Sequence, residues 1–158
     1  MKELFSRLVG TLKSKGLTLS CAESCTGGLI AKCITDISGA SSVFFGGVVS
    51  YANEVKQNVL GVEKEALLAF GAVSAPVAEQ MARGVCSVCH TDIGISTTGI
   101  AGPDGGTLEK PVGTVFIGIC IKNECFTERL CISPALSRDE IRHEAVFQLV
   151  QILLDKIS

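Results

Sequence analysis

The chain has 158 residues, 47% of them hydrophobic and 19% charged, a balance that suits one compact domain with a real core and excludes a disordered chain. Its formal net charge of -2, with Lys and Arg dispersed, leaves no basic footprint for nucleic acid or an anionic membrane surface. No apolar run reaches the roughly 20 residues that cross a bilayer, and Met1 to Arg7 lacks the apolar core of a signal peptide, so a cytoplasmic location is expected.

Taken in order, Leu4, Phe5, Leu8, Val9 and Leu12 recur at helical spacing up to Gly16, a C-terminal stop. Leu17 to Ala22 reads as a short strand. Thr26 is placed to cap the next helix, whose face carries Ile30, Ile34 and Ile37 before Ser38 and Gly39 end it. Val43 to Tyr51 reads as a second strand, with Gly46 and Gly47 marking a bulge or a close backbone approach. Asn53 caps a short helix ending at Gly61, a further helical turn runs from Glu63 to Phe70, and Ser74-Ala75-Pro76 opens a longer helix to about His90. Ile93 to Ile100 is a third strand that leaves into a glycine-rich loop, Gly102 to Gly106. Val112 to Lys122 and Cys125 to Ile132 form a hairpin, and Ser137 to Glu140 has capping-box spacing for a final helix through Ile141, Ala145, Leu149, Ile152 and Leu153.

Alternating helices and strands predict parallel pairing with helices on both faces, and the hairpin forces at least one antiparallel strand. The expected fold is a single α/β domain over residues 1–158, a three-layer α/β/α sandwich around a mixed, mostly parallel sheet of about five strands.

The eight cysteines fall mostly inside predicted strands and helices, where reduced Cys packs as a small apolar residue. Cys86, Cys89 and His90 have no second ligand pair at tetrahedral spacing, so no metal is expected.

Ligands of open α/β sheets collect where strands end and helices begin. Three such junctions carry unusual residues: 23–28, 51–56 and 97–106. Ser24 and Cys25 are candidate nucleophiles, and either needs a base. Neither of the two histidines, His90 and His143, stands at a strand end, and lysine is the other known partner for serine. Lys56 reads in two ways. With Asn53 as N-cap it occupies the third helical position, where the helix dipole and partial burial would lower its pKa and make it a general base; otherwise it is a solvated surface residue. Thr26, Gly27 and Gly28 offer backbone amides for a phosphate or an oxyanion, or make only a tight turn, and the loop at Gly102 has the same two readings. Neither glycine cluster has Walker or dinucleotide spacing, so no nucleoside triphosphatase is expected. Glu23 can bond backbone amides within its turn.

AESCTGG at 22–28, YANEVK at 51–56, GAVSAP at 71–76, GIAGPDGG at 99–106 and EKPVGTV at 109–115 together resemble the CinA C-terminal domain family. That resemblance runs from Leu17 to Val115 and more weakly onward. It implies a nicotinamide-nucleotide amidohydrolase (NMN deamidase), which converts nicotinamide mononucleotide (NMN) to nicotinic acid mononucleotide and ammonia without metal or cofactor, and a three-layer fold with one antiparallel strand. By motif position the resemblance implies a Ser24–Lys56 pair with Tyr51 and Thr98 in the same pocket. Many members have Ser where this chain has Ala52, and Glu where it has Ala75; neither change removes an implied catalytic group.

On that basis amides of residues 26–28, or of Thr98 and Gly99, are expected to stabilise the oxyanion, with Gly102 beside the substrate. Tyr51, the single tyrosine, would lie against the pyridinium ring. Arg138 or Arg142 would hold the phosphate, with Arg142 preferred. The expected partner is the small molecule alone, with a homodimer allowed by strand edges. Two rival readings are a non-catalytic nucleotide-binding or regulatory module, and an amidase for another small carboxamide.

Overall fold

A computed structural model describes residues 1–158. The elements are α1 (Lys2–Lys15), β1 (Leu19–Glu23), α2 (Leu29–Thr35), a 3-10 turn (Ala40–Ser42), β2 (Phe44–Val49), α3 (Asn53–Leu60), α4 (Lys64–Phe70), α5 (Ala75–Cys89), β3 (Ile93–Gly99), β4 (Thr114–Ile121), β5 (Glu124–Cys131) and α6 (Arg138–Ile157).

The sheet has five strands in the order β2-β1-β3-β4-β5. β1 pairs in parallel with β2 and β3, whereas β3–β4 and β4–β5 are antiparallel. Four strands therefore run one way and β4 alone runs the other, as the expected mixed sheet requires.

Strand alternation splits the core into two layers. Leu19, Cys21, Ile93, Ile95, Ile117 and Ile119 face α1, α2 and α6, forming the larger cluster with Phe5, Leu12, Ile30, Ile141 and Leu149. Ala22 points to the opposite face, where Leu60, Val77, Met81 and Val85 of α3 and α5 cover it. α5 lies directly on the strands because Gly94 and Gly118 lack side chains; a Cβ at either would collide with the Ala82 or Ala78 carbonyl.

Local signals were mostly met. α1 ends at Gly16 with φ 63, in the left-handed region that favours glycine. α6 begins with the full capping box between Ser137 and Glu140. Two caps differ from expectation: α2 is preceded by Gly28 rather than capped by Thr26, and Asn53 is the first residue of α3, with Ala52 before it. The β2 irregularity falls at Phe45, between the Leu19–Phe44 and Ser20–Gly46 pairs, while Gly47 makes the close approach, against Cys21. Cys120 and Cys125, expected as reduced packing residues, are directly opposed across the β4–β5 hairpin and joined as a disulfide. No helix is long and apolar enough to cross a membrane.

Candidate active site

β1 and β3 lie side by side and end together, so the turn after Glu23 and the loop after Gly99 meet at one rim of the sheet. The segment leaving β2 brings Tyr51 and the first turn of α3 to the same rim. Two of the three junctions singled out by composition thus meet the third across adjacent strands.

Glu23 organises the first junction. Its side chain is buried, and Oε2 accepts from Thr26 Oγ1 at 2.6 Å, the Gly28 amide at 3.0 Å and the Ile30 amide at 3.1 Å. Oε1 accepts from the Ala31 amide at 2.9 Å. A carboxylate reaching over from the strand therefore satisfies the first turn of α2, the task expected of Thr26. Thr26 Oγ1 also pairs with Thr97 Oγ1 at 2.7 Å, tying the turn to β3.

Ser24 follows. Its amide donates to Thr97 O at 2.9 Å and its carbonyl accepts from Gly27 N at 3.2 Å. Its Oγ lies 3.1 Å from Lys56 Nζ. Lys56 is 1% exposed and takes part in none of the ion pairs. Burial pushes its pKa below the ordinary lysine value. Its solvated reading is therefore replaced by a buried one, at the fourth helical position rather than the third.

Nζ also donates to Ser50 O at 2.7 Å and to Tyr51 O at 3.4 Å. Carbonyl oxygens only accept, so a neutral amine spends its two N–H groups on them. In that state its lone pair would face the Ser24 hydroxyl, whereas an ammonium donates to Ser24 Oγ over the same 3.1 Å. The 3.1 Å separation is within the reach that a general base needs to its nucleophile.

Cys25, the rival nucleophile, is buried, and desolvation pushes its thiol up to about 12, so it stays protonated near neutral pH. Its backbone amide has no acceptor in another residue, and it lines a cavity of about 280 Å³ together with Ser24, Tyr51, Gly99, Gly102 and Arg138. Because the Ile100 amide donates to Thr114 O on β4, strand alternation turns the Gly99 amide to the β1 side, where Ser24 stands. Cys25 and Gly99 thus both line the cavity beside Ser24, each with an amide that no other residue accepts.

The other expected residues fall as follows. Gly27 and Gly28 have φ values of 58 and 98, which the tight turn requires, but their amides are committed to Ser24 O and Glu23. Thr26 is fully buried in the turn. Thr98 is buried, and its hydroxyl donates to Ala72 O at 2.8 Å, fastening β3 to the loop before α5 rather than lining the cavity. Tyr51 is 62% exposed at the cavity mouth.

Arg142, the preferred phosphate ligand, donates to Thr26 O at 2.7 Å and braces the turn from outside. Arg138 instead reaches the cavity, donating to Tyr51 Oη at 2.9 Å and to Gly102 O at 2.7 Å. One helical turn separates the two arginines, and only the first residue of α6 stands over the glycine loop. Ser50 was missed: its hydroxyl is buried with no hydrogen-bond partner, directly beside the carbonyl that holds Lys56.

A profile of the CinA C-terminal domain matches residues 1–157. The chain is similar to a protein of Thermoanaerobacter sp. (strain X514) named a competence-damage inducible protein, with 49% identity over 152 residues, 96% of this chain and 36% of that one. It is also similar to a CinA-like protein of Kosmotoga olearia, with 48% identity over 138 residues, 87% of this chain and 33% of that one. The chain thus spans about a third of the length of these relatives. Among solved structures it resembles the competence/damage inducible protein CihA of Agrobacterium tumefaciens, with TM-score 0.94 and 40% identity over 98% of this chain and 93% of that one. It likewise resembles a competence or damage-inducible protein of Enterobacter asburiae, with TM-score 0.95 and 32% identity over 99% of this chain and 98% of that one.

Proposed function

The chain belongs to the CinA C-terminal domain family, and from that premise we propose that it is an amidohydrolase that releases ammonia from nicotinamide mononucleotide by a Ser24–Lys56 mechanism. The observation that carries the proposal is a buried lysine without an ion pair, its Nζ 3.1 Å from the Ser24 oxygen.

Neutral Lys56 takes the Ser24 proton as Oγ bonds to the carboxamide carbon. The carbonyl oxygen becomes an oxyanion and receives hydrogen bonds from the Cys25 and Gly99 amides. Lys56, now an ammonium, gives its proton to the substrate nitrogen as the C–N bond breaks, and ammonia leaves. The nicotinoyl ester remains on Ser24. Lys56, neutral again, takes a proton from water, whose oxygen attacks the ester carbon. As the ester bond breaks, the proton passes to Ser24, releasing nicotinic acid mononucleotide.

The two carbonyls on Lys56 suit both halves of this cycle. They hold two amine hydrogens throughout, so only the third site alternates between lone pair and proton. Arg138 is the cavity's guanidinium and is the group we assign to the substrate phosphate. Tyr51, at the mouth, suits the pyridinium ring, a contact worth about 0.5–1 kcal/mol at an exposed site.

The test is ammonia release measured with NMN, NAD, nicotinamide and glutamine. Turnover confined to NMN and lost in Ser24→Ala supports the reading. Preference for another of the four would make the chain an amidase of different specificity, and binding of NMN without turnover would make it a nucleotide-binding module.

A further inference from the structure

A buried carboxylate without a cationic partner is costly and has to be solvated by donors. Glu23 is 1% exposed, takes part in none of the ion pairs, and is solvated by three backbone amides, one hydroxyl and the Cys21 thiol. A short side chain within the turn could have capped α2 at less cost. A glutamate immediately before Ser24 does more than cap.

Apart from the Cys21 thiol, its bonds run to Thr26, Gly28, Ile30 and Ala31, so they span the turn that follows Ser24 and the start of α2. Thr26 Oγ1 gives its proton to Glu23 and so accepts from Thr97 Oγ1, while Thr97 O receives the Ser24 amide. Arg142 holds the Thr26 carbonyl from the far side. The turn is thus fixed from three directions. The Ser24, Gly27 and Gly28 amides are consumed, whereas the cavity-lining Cys25 amide donates to no other residue.

We infer that Glu23 is a positioning residue for catalysis: its carboxylate shapes the turn so that the Ser24 hydroxyl and the Cys25 amide face the same reacting carbonyl. The inference rests on the Ser24–Lys56 reading. A carboxylate that merely stabilised the domain would change melting temperature without separating binding from turnover.

The decisive variant is Glu23→Gln, which keeps the shape but replaces one acceptor oxygen with a donor. It should lower kcat by about 100-fold or more, the scale of one lost oxyanion donor, with KM changed by less than about threefold. The second readout is 3-pyridineboronic acid, whose boron forms a tetrahedral adduct with a serine oxygen. Its affinity should fall by a similar factor, while affinity for nicotinic acid mononucleotide stays near wild type. If Glu23→Gln does not fold, Thr26→Val removes one Glu23 donor and should lower kcat about fivefold at constant KM.

Folded Glu23→Gln or Thr26→Val with wild-type kcat and wild-type boronate affinity would overturn the inference. So would a raised KM with kcat unchanged. Wild-type protein that captures the boronate on Ser24 but leaves NMN intact would sink the substrate assignment alone, because boronate affinity in the variants still reads the role of Glu23. Wild-type protein that does neither would overturn both.

Discussion

The two ends of β1 and β3 both carry dense polar clusters, and the clusters are built on opposite rules. At the N-terminal rim the Thr18 amide and hydroxyl donate to Asp92 Oδ2 at 2.9 and 2.8 Å, and the Asp92 amide donates back to Thr18 Oγ1 at 3.0 Å. Ser20 and Thr91 pair through their hydroxyls at 2.6 Å. These bonds are reciprocal and the set is closed. At the C-terminal rim the chain buries a lysine without an ion pair, leaves the Ser50 hydroxyl unpartnered and keeps the Cys25 amide free beside a cavity. Folding alone favours the first arrangement, since unmatched buried polar groups cost about 1–3 kcal/mol each. Unmatched groups where loops converge are available to a ligand, and Ser24, Cys25 and Arg138 line the cavity at this rim.

Substitutions at the two rims should therefore separate activity from stability. The largest effect is expected for Ser24→Ala, a loss of about 10⁴-fold or more in kcat with melting temperature near wild type. An active Ser24→Ala paired with an inactive Cys25→Ala would move the nucleophile to the thiol. Lys56→Met should lose about 10²–10⁴-fold in kcat, and a variant that only raised KM would contradict its role as base.

Lys56→Met also sharpens the comparison through pH. Because burial lowers the folded pKa, the unfolded chain holds the proton longer between that value and the ordinary one of about 10.4. Lys56 therefore costs stability at lower pH, and the cost is relieved as pH rises through that window. The stability of Lys56→Met relative to wild type should decline with rising pH, as read from denaturant midpoints. A difference independent of pH would mean that the lysine is not perturbed.

Arg138→Ala comes next, with KM for NMN raised about 10–100-fold and kcat little changed, the scale of a lost charged hydrogen bond. Equal KM values for NMN before and after the change would remove Arg138 from phosphate binding.

The smallest effect belongs to the other rim. Asp92→Ala should cost about 1–2 kcal/mol of stability by loss of its bonds to Thr18, with wild-type kcat. Hydrogen bonds from Thr18 lower the Asp92 pKa, so its contribution is present above the unfolded value and is lost as pH falls through the lower folded one. A loss of turnover in a stably folded Asp92→Ala would break the division between the rims.

Topology was legible in the sequence because it depends on signals within short windows, whereas local spacing left Lys56 with two readings and only the family resemblance joined it to Ser24. Periodicity placed α1, α5 and α6, the motif at 51–56 set Lys56 near a strand end, and Ser137 and Glu140 gave a cap three residues apart. What escaped was set across strands or along one face. Thr26 carries the right side chain for a cap, yet Glu23 takes that role by reaching over the turn. Arg138 and Arg142 look alike in sequence, and only the position of Gly102 at the start of α6 tells them apart. The register that opposes Cys120 to Cys125 depends on where the hairpin turns. Nothing local marks Ser50, whose unpartnered hydroxyl arises from packing alone.

The central claim is an uncharged amine at Lys56 facing the Ser24 hydroxyl near neutral pH. An NMR pH titration of protein labelled at the lysine Cε carbons, with the Lys56 signal assigned by its absence from Lys56→Met, measures that charge state directly. The account predicts that this signal titrates below the ordinary lysine value and moves in Ser24→Ala. Titration of Lys56 at the ordinary lysine value of about 10.4 would contradict it.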